Sequence, residues 1–350
     1  LSIILLDIMK AFDSVHFNSI KNALNSLKID KNFTKLLENI FRNRKAQVLT
    51  REGRTEFFHP ETGVEQGDPL SPKLWNIFYK PMLDKLEEMK GYNIQGINIS
   101  YLAFADDIVL IAESDETMEK LLETVENYLK VNFIQIQPKK SIHVANYPST
   151  IFHTQGNNGE LLPIKKIEVD ENFTYLGAIF NLGQPKRQTS KVTDEVTRSL
   201  EMLNGKRISS RILTYIFNAV INPLIAHRLI GAVPQKVSLE KYKKMTIAML
   251  RKCLRLPRGF AHKYFYDEQF PGQLRDISDY HLEQEIGNFF FYINSNRLNG
   301  EIWRKEIEEQ SSCHQALTGA RFRTKNTYLN WIWEKASERG IEIYSSEWPE

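Results

Sequence analysis

Apolar positions follow two rhythms along this chain, an unbroken run in some stretches and a three-to-four-residue spacing in others. Ser2-Ile3-Ile4-Leu5-Leu6-Asp7-Ile8 is of the first kind and predicts a buried strand with a carboxylate at its end. A charge in that position is costly unless it is paired or bound to a metal. Asp13 and Ser14 offer N-caps for a helix that places Phe17, Ile20, Leu24 and Leu27 on one face. A second helix is expected over 31–41. Two short strands follow over 46–50 and 55–58, joined around Glu52-Gly53-Arg54. The prolines of Pro69-Leu70-Ser71-Pro72 mark the start of a helix over 72–89, with Leu74, Ile77, Phe78, Met82 and Leu86 as its apolar stripe.

The stretch 99–112 reads as two apolar arms around Asp106-Asp107, a β-hairpin with both carboxylates at its tip. Adjacent carboxylates at the end of a buried hairpin repel, which favours protonation of one of them. A divalent cation removes that conflict, and oxygen-only ligands suit Mg²⁺ or Mn²⁺. An ordinary Asp-Asp turn is the plainer alternative. A helix over 115–131 and a strand over 133–136 come next. Pro138-Lys139-Lys140-Ser141 then leads into a strand over 142–145, Asn157-Asn158-Gly159 forms a turn, and 173–180 forms a further strand. The order strand, helix, two strands, helix, strand matches a ferredoxin-like βαββαβ unit.

From Ser190 the pattern turns helical, over 191–203, 208–229 and 238–255. In the last of these Leu239, Tyr242, Thr246, Met249, Leu250 and Cys253 form the buried stripe. Lys241, Lys243, Lys244, Arg251, Lys252 and Arg255 are left outward. Residues 260–350 are less regular. Their aromatics, Phe289 to Tyr292 with Trp303, Trp331, Trp333 and Trp348, are expected in a core rather than as base-stacking platforms.

At 350 residues the chain has room for two or three domains. No apolar stretch approaches the roughly 20 residues of a membrane helix, so no membrane partner is expected. Two cysteines, Cys253 and Cys313, exclude a disulfide scaffold and point to a reducing, intracellular compartment. Charge changes the picture more. The net value is only +3, yet residues 186–263 carry 17 Lys and Arg against 4 Asp and Glu. Such an excess suits a polyanion, and nucleic acid is the obvious one. The opening, Leu inside an apolar run, looks like a cut from something longer.

Three elements then combine: Asp7 at a strand end, Gln66 in the loop Gly63-Val64-Glu65-Gln66-Gly67-Asp68, and Asp106-Asp107 on a hairpin. Nucleotidyl transfer asks the protein for charge stabilisation and in-line positioning rather than covalent chemistry. Carboxylates from two strands can hold the metal pair that such transfer uses.

The motifs resemble those of the reverse transcriptases of non-LTR (LINE-type) retrotransposons. The resemblance rests on Asp7-Ile8-Met9-Lys10-Ala11-Phe12-Asp13, on the Gly63–Pro72 block, on Phe104-Ala105-Asp106-Asp107, on Pro138-Lys139-Lys140-Ser141 and on Tyr175-Leu176-Gly177. All five occur in order over residues 1–182.

The resemblance implies an α+β fold: a right-hand polymerase palm over 1–182, a ferredoxin-like antiparallel sheet with helices that includes part of the fingers over about 28–62. An all-α basic thumb over 183–260 and a mostly helical C-terminal region over 261–350 follow. It implies RNA-directed DNA polymerase activity on an RNA template, a DNA primer and dNTPs, in a nuclear or cytoplasmic ribonucleoprotein. Asp7 and Asp106 would bridge two Mg²⁺ ions, Mn²⁺ being the alternative, with Asp107 and the Ile8 carbonyl helping to hold the site. Phe12 would clash with a ribose 2′-hydroxyl, and Gln66 would touch the incoming nucleotide or the template base opposite it. Gly67 and Ala105 would line the nucleotide site. Lys140, or its neighbour Lys139, would protonate the leaving pyrophosphate, a plain phosphate contact being the alternative. Tyr175, Leu176 and Gly177 would form the primer grip. Lys206, Arg207, Arg211, Lys243, Lys244 and Arg251 would hold duplex phosphates.

The family's fingers lie upstream of the first catalytic strand, where this chain has six residues. Those fingers, or other domains of a longer polyprotein, are therefore expected partners. A catalytically inactive nucleic-acid-binding relic or domesticated scaffold of the same fold is the competing reading.

Overall fold

The computed structural model describes residues 1–156, 159–184, 186–203, 206–270, 272–311 and 327–341. The chain divides into two compact units, Leu1–Glu168 and Val169–Glu350.

The first unit is built on β1 (Ser2–Leu6). Helices α1 (Ala11–Ser14), α2 (Phe17–Ser26) and α3 (Lys31–Arg42) follow, then a small hairpin of β2 (Leu49–Thr50) and β3 (Gly53–Arg54). Next come α4 (Ser71–Glu88), a second hairpin of β4 (Tyr92–Ile94) and β5 (Ile97–Ile99), then β6 (Tyr101–Phe104) and β7 (Asp107–Ala112). The unit closes with α5 (Asp115–Val131), β8 (Ile142–Ala145), β9 (His153–Gln155), β10 (Leu161–Pro163) and β11 (Lys165–Ile167).

The main sheet has the order β11-β8-β1-β7-β6. Its β8-β1-β7-β6 portion is antiparallel throughout and is the expected ferredoxin-like sheet; β11 adds in parallel on the outer edge. One face is covered by helices, because Ile4 and Leu6 of β1 and Ile108, Leu110 and Ala112 of β7 meet Leu74, Trp75, Phe78 and Met82 of α4 and Met118, Leu121 and Val125 of α5. The palm architecture read from the sequence is therefore present.

Several local expectations are corrected. Neither Asp13 nor Ser14 caps α2; both lie in the one-turn α1, and His16 takes the N-cap position. The strand expected over 133–136 shrinks to one bridge, Ile8 to Ile136, because Phe133 leaves α5 in the left-handed region at φ 60°. The hairpin expected over 99–112 starts at Tyr101, since Ile97–Ile99 pairs with β4 instead. Asn157 and Asn158 of the expected turn lie outside the described residues.

The second unit opens with β12 (Phe173–Tyr175) and β13 (Ala178–Phe180). The sequence read these as one strand, but they form an antiparallel hairpin that turns at Leu176 and Gly177. Both turn residues are left-handed, φ 48° and 80°, the combination a tight hairpin turn requires.

Helices α6 (Lys186–Glu201), α7 (Ser210–Ile216), α8 (Asn222–Arg228) and α9 (Lys236–Leu254) follow. The helix expected over 208–229 is interrupted by a π-turn at Phe217–Ile221. Pro223 follows within α8 and has no N–H to continue the regular ladder, which accounts for the widened turn. These helices share a core of Val192, Val196, Leu213, Phe217, Ile225, Leu239, Tyr242 and Leu250. Helices α10 (Ile277–Ile293), α11 (Leu298–Ser311) and α12 (Thr327–Glu338) make another, where Phe289, Phe290, Trp303, Trp331 and Trp333 pack as expected. Phe291 is exposed, and Tyr292, half-buried against the Phe291 ring, lies outside that core as well. Trp348 and Cys313 lie outside the described residues. No helix among those residues is long and apolar enough to cross a membrane.

His143 of β8 gives the first unit a pH dependence. Its ring is buried against Phe152, with Nε2 2.9 Å from Ser2 Oγ of β1. Burial, helped by the Lys166 charge, pushes its pKa down to about 4. The folded imidazole thus resists a proton that the unfolded chain accepts near pH 6.5. Stability is complete above that pH and falls by roughly 1–3 kcal/mol as the pH drops toward 4. His143→Gln is expected to flatten the decline of the melting temperature between pH 6.5 and 4; an unchanged slope would contradict the assignment.

Candidate active site

Antiparallel pairing of β1 with β7 runs to Leu6 opposite Ile108. Continuing that register sets Asp7 across from Asp107 at the open end of the ladder. Asp107 pairs with Phe104 across a two-residue turn, Ala105-Asp106. All three aspartates therefore lie at one end of the two central strands, and each is half-buried. Their proximity is visible in the chemistry: burial first, then the charges of Asp106 and Asp7, raises the pKa of the Asp107 carboxyl. That is the conflict the hairpin reading anticipated.

The turn is strained. Ala105 has φ 53°, uncommon for a residue with a Cβ and characteristic of functional sites. It is held by Trp75 of α4, whose indole Nε1–H donates to the Ala105 carbonyl at 2.8 Å. Trp75 is itself wholly buried and stacks on Phe12, with centroids 5.2 Å apart. One side chain thus braces both the carboxylate turn and the aromatic residue that follows β1. The sequence reading passed over Trp75, although a tryptophan one residue beyond Leu74 on the same apolar face was a visible signal.

Asp7 is pinned through its backbone. Its N–H donates to Ser141 Oγ at 3.1 Å, and its carbonyl accepts from the Gln137 N–H at 2.7 Å. These bonds fold the Pro138–Ser141 loop beside the strand end and bring Lys140 Nζ to 3.6 Å from Asp7 Oδ2. Lys140 is exposed, so the pair adds little stability. Its importance is that the expected cation stands beside the expected carboxylate. Lys139 is exposed too. Ile8 is buried and forms the bridge to Ile136.

The Gly63–Gly67 loop is laced to the segment after β1. Val64 N–H donates to the Phe12 carbonyl and Gly63 N–H to the Val15 carbonyl, both at 2.8 Å. Thr62 Oγ1 donates to the Asp13 carbonyl, and Gln66 Nε2 reaches Asp13 Oδ1 at 3.5 Å. Gln66 and Gly67 are exposed. Gly63 is obligatory: φ is 82°, and a Cβ would lie 2.9 Å from the Asp13 carbonyl oxygen. Gly63→Ala is expected to cost roughly 1–3 kcal/mol of stability, checked by chemical denaturation; a loss below ~0.5 kcal/mol would contradict the close packing.

In the second unit, the Leu176–Gly177 turn is held by His227 of α8, with Nε2 3.0 Å from the Leu176 carbonyl oxygen. Tyr175 ends β12. Of the six expected phosphate-binding cations, Lys206, Arg207, Arg211 and Lys244 are exposed. The other two are not outward. Lys243 pairs with Asp276 at 2.8 Å and Glu240 at 3.5 Å, and Arg251 donates to the Phe260 carbonyl.

Among the described residues no three His, Cys, Asp or Glu side chains are gathered as a ready metal shell. The donor set nonetheless fits a hard divalent cation in kind, since it is all oxygen and self-repelling. Mg²⁺ is commonly held by one or two carboxylates together with substrate phosphates rather than by a complete protein cage.

Comparison with known proteins places the chain. Residues 1–180 match the reverse transcriptase (RNA-dependent DNA polymerase) family, and the chain belongs to it. It is 28% identical over 276 residues to the retrovirus-related Pol polyprotein from type-1 retrotransposable element R2 of Nasonia vitripennis, covering 76% of this chain and 26% of that protein. Similarity to the Pol polyprotein from type-2 element R2DM of Drosophila melanogaster is 26% over 258 residues, 72% of this chain and 24% of that one. The chain spans about a quarter of the length of these two relatives. A telomerase structure from Candida albicans, with a fragment of telomeric RNA, aligns over 89% of this chain and 47% of its own. Its identity is 11% and its TM-score 0.42, a likeness too slight to bear on the argument.

Proposed function

We propose that this chain is the catalytic portion of an RNA-directed DNA polymerase that extends a DNA 3′ end on an RNA template. The observation that carries the reading is the convergence of Asp7 and the Asp106-Asp107 turn at one end of β1 and β7, with Lys140 at 3.6 Å from Asp7.

Asp7, Asp106 and Asp107, with the Ile8 carbonyl, would hold two divalent cations, Mg²⁺ or Mn²⁺. Bound there, the cations supply charge neutralisation to the transferring phosphoryl group. Lys140, beside Asp7, would give a proton to the departing pyrophosphate oxygen. Phe12, backed by Trp75, presents a ring against the 2′-position of the incoming sugar. Gln66, with Gly67 and Ala105, contacts the nucleotide or the template base opposite. Tyr175, Leu176 and Gly177 steady the primer end, and Lys206, Arg207, Arg211 and Lys244 take backbone phosphates. Lys243 and Arg251 serve the fold of their own unit.

Single-nucleotide incorporation on an RNA-templated DNA primer tests this. Incorporation of the complementary dNTP, with Mg²⁺ and not with EDTA, is expected. Salt-sensitive duplex binding without incorporation would favour the inactive scaffold.

A further inference from the structure

Arg44 has no place in the chemistry so far, yet its surroundings are those of a built clamp. It follows α3 and is half-buried. Its Nη1 donates to the Gly63 carbonyl at 2.7 Å, and its Nη2 faces the carbonyls of Pro60 and Thr62 at 3.4 and 3.5 Å. Its Nε reaches the Phe41 carbonyl at 3.4 Å, while the guanidinium lies over the Phe41 ring, 4.4 Å from the centroid. Phe41 packs in turn on Phe17 of α2 at 4.7 Å. A planar fork of donors can serve several carbonyls at once, whereas an ammonium is a point charge without that geometry.

The loop that Arg44 grips is the same loop that is laced on its other edge to Phe12, Asp13 and Val15. Phe12 and Gln66 therefore do not hold their places independently. They belong to one braced assembly, with Trp75 behind Phe12 and Arg44 behind Gly63.

We propose that Arg44 is a positioning residue for nucleotide selection: by fixing the 60–67 loop against the segment that carries Phe12, it sets the placement of Gln66 relative to Phe12. The proposal rests on the reading that these two residues face the incoming nucleotide.

Arg44→Ala and Arg44→Lys test it, with Arg42→Ala as the control; Arg42 is exposed and pairs with Glu38. Steady-state incorporation of one dNTP and of the matching rNTP is measured on an RNA template. Misplacement of a binding group by about an ångström costs up to ~10²-fold. Arg44→Ala is expected to raise the dNTP KM about tenfold or more, with a smaller change in kcat, and to lower the dNTP-to-rNTP preference. Arg44→Lys restores little, and Arg42→Ala changes neither quantity. Amide exchange is read on the same proteins. In Arg44→Ala, Gly63 and Val64 are expected to exchange at least about tenfold faster while the interior of α4 stays protected.

Unchanged selectivity in an active Arg44→Ala enzyme overturns the proposal and leaves the polymerase reading standing. Uniform loss of protection across the first unit also overturns it, since Arg44 would then be only a general support. Absence of incorporation by the unaltered protein overturns the polymerase reading, and this role with it.

Discussion

Asp106→Asn is expected to reduce RNA-templated primer extension about 10³-fold or more, with the protein still folded and still binding duplex. Asp106 sits in the two-residue turn between β6 and β7, half-buried and outside the hydrophobic core. The substitution keeps its shape and removes one of the charges that would hold the cations. No packed contact is lost, so thermal stability is expected to change by less than ~0.5 kcal/mol. Single-turnover extension, melting and duplex binding are measured on one preparation. A variant within about tenfold of the parent would remove Asp106 from the site.

Trp75→Ala is expected to have the largest effect on stability, a loss of about 3–5 kcal/mol as for other large aromatics truncated in a core. Trp75 is completely buried between Phe12, Phe78 and Tyr79. Its removal opens a cavity under the strained turn and leaves the Ala105 carbonyl without its donor. Trp75→Phe separates the two effects. It keeps most of the apolar bulk and deletes the hydrogen bond, at an expected cost of about 1–3 kcal/mol. Trp75→Phe should also lose extension disproportionately to its loss of stability, because Ala105 immediately precedes the aspartates. Denaturation midpoints and extension rates check both. Stability loss in Trp75→Phe with full activity would show that Trp75 supports the core and not the turn.

The palm was legible because its strands and helices carry regular marks. Ser2–Leu6 and Asp107–Ala112 are near-continuous apolar runs, and the α4 and α5 stripes repeat at helical spacing. The candidate carboxylates stood out because charges at the ends of such runs are costly. Residues that act through distant backbone were not legible. Trp75 serves a carbonyl 30 positions away and Arg44 one 19 positions away, and neither pairing leaves a periodic trace. The Phe173–Phe180 hairpin was missed because Leu176, not only Gly177, takes a left-handed conformation that a leucine rarely adopts. Lys243 and Arg251 are outward by the periodicity of their own helix, but Asp276 and the Phe260 carbonyl, both beyond that helix, turn them inward.

The most direct measurement of the central claim is full-length extension of a labelled DNA primer on a defined RNA template by this chain, with Mg²⁺ and four dNTPs. Products that grow to the template's 5′ end, lost when Mg²⁺ is chelated, are the predicted result. An unextended primer, with the duplex demonstrably bound by the folded protein, would contradict it.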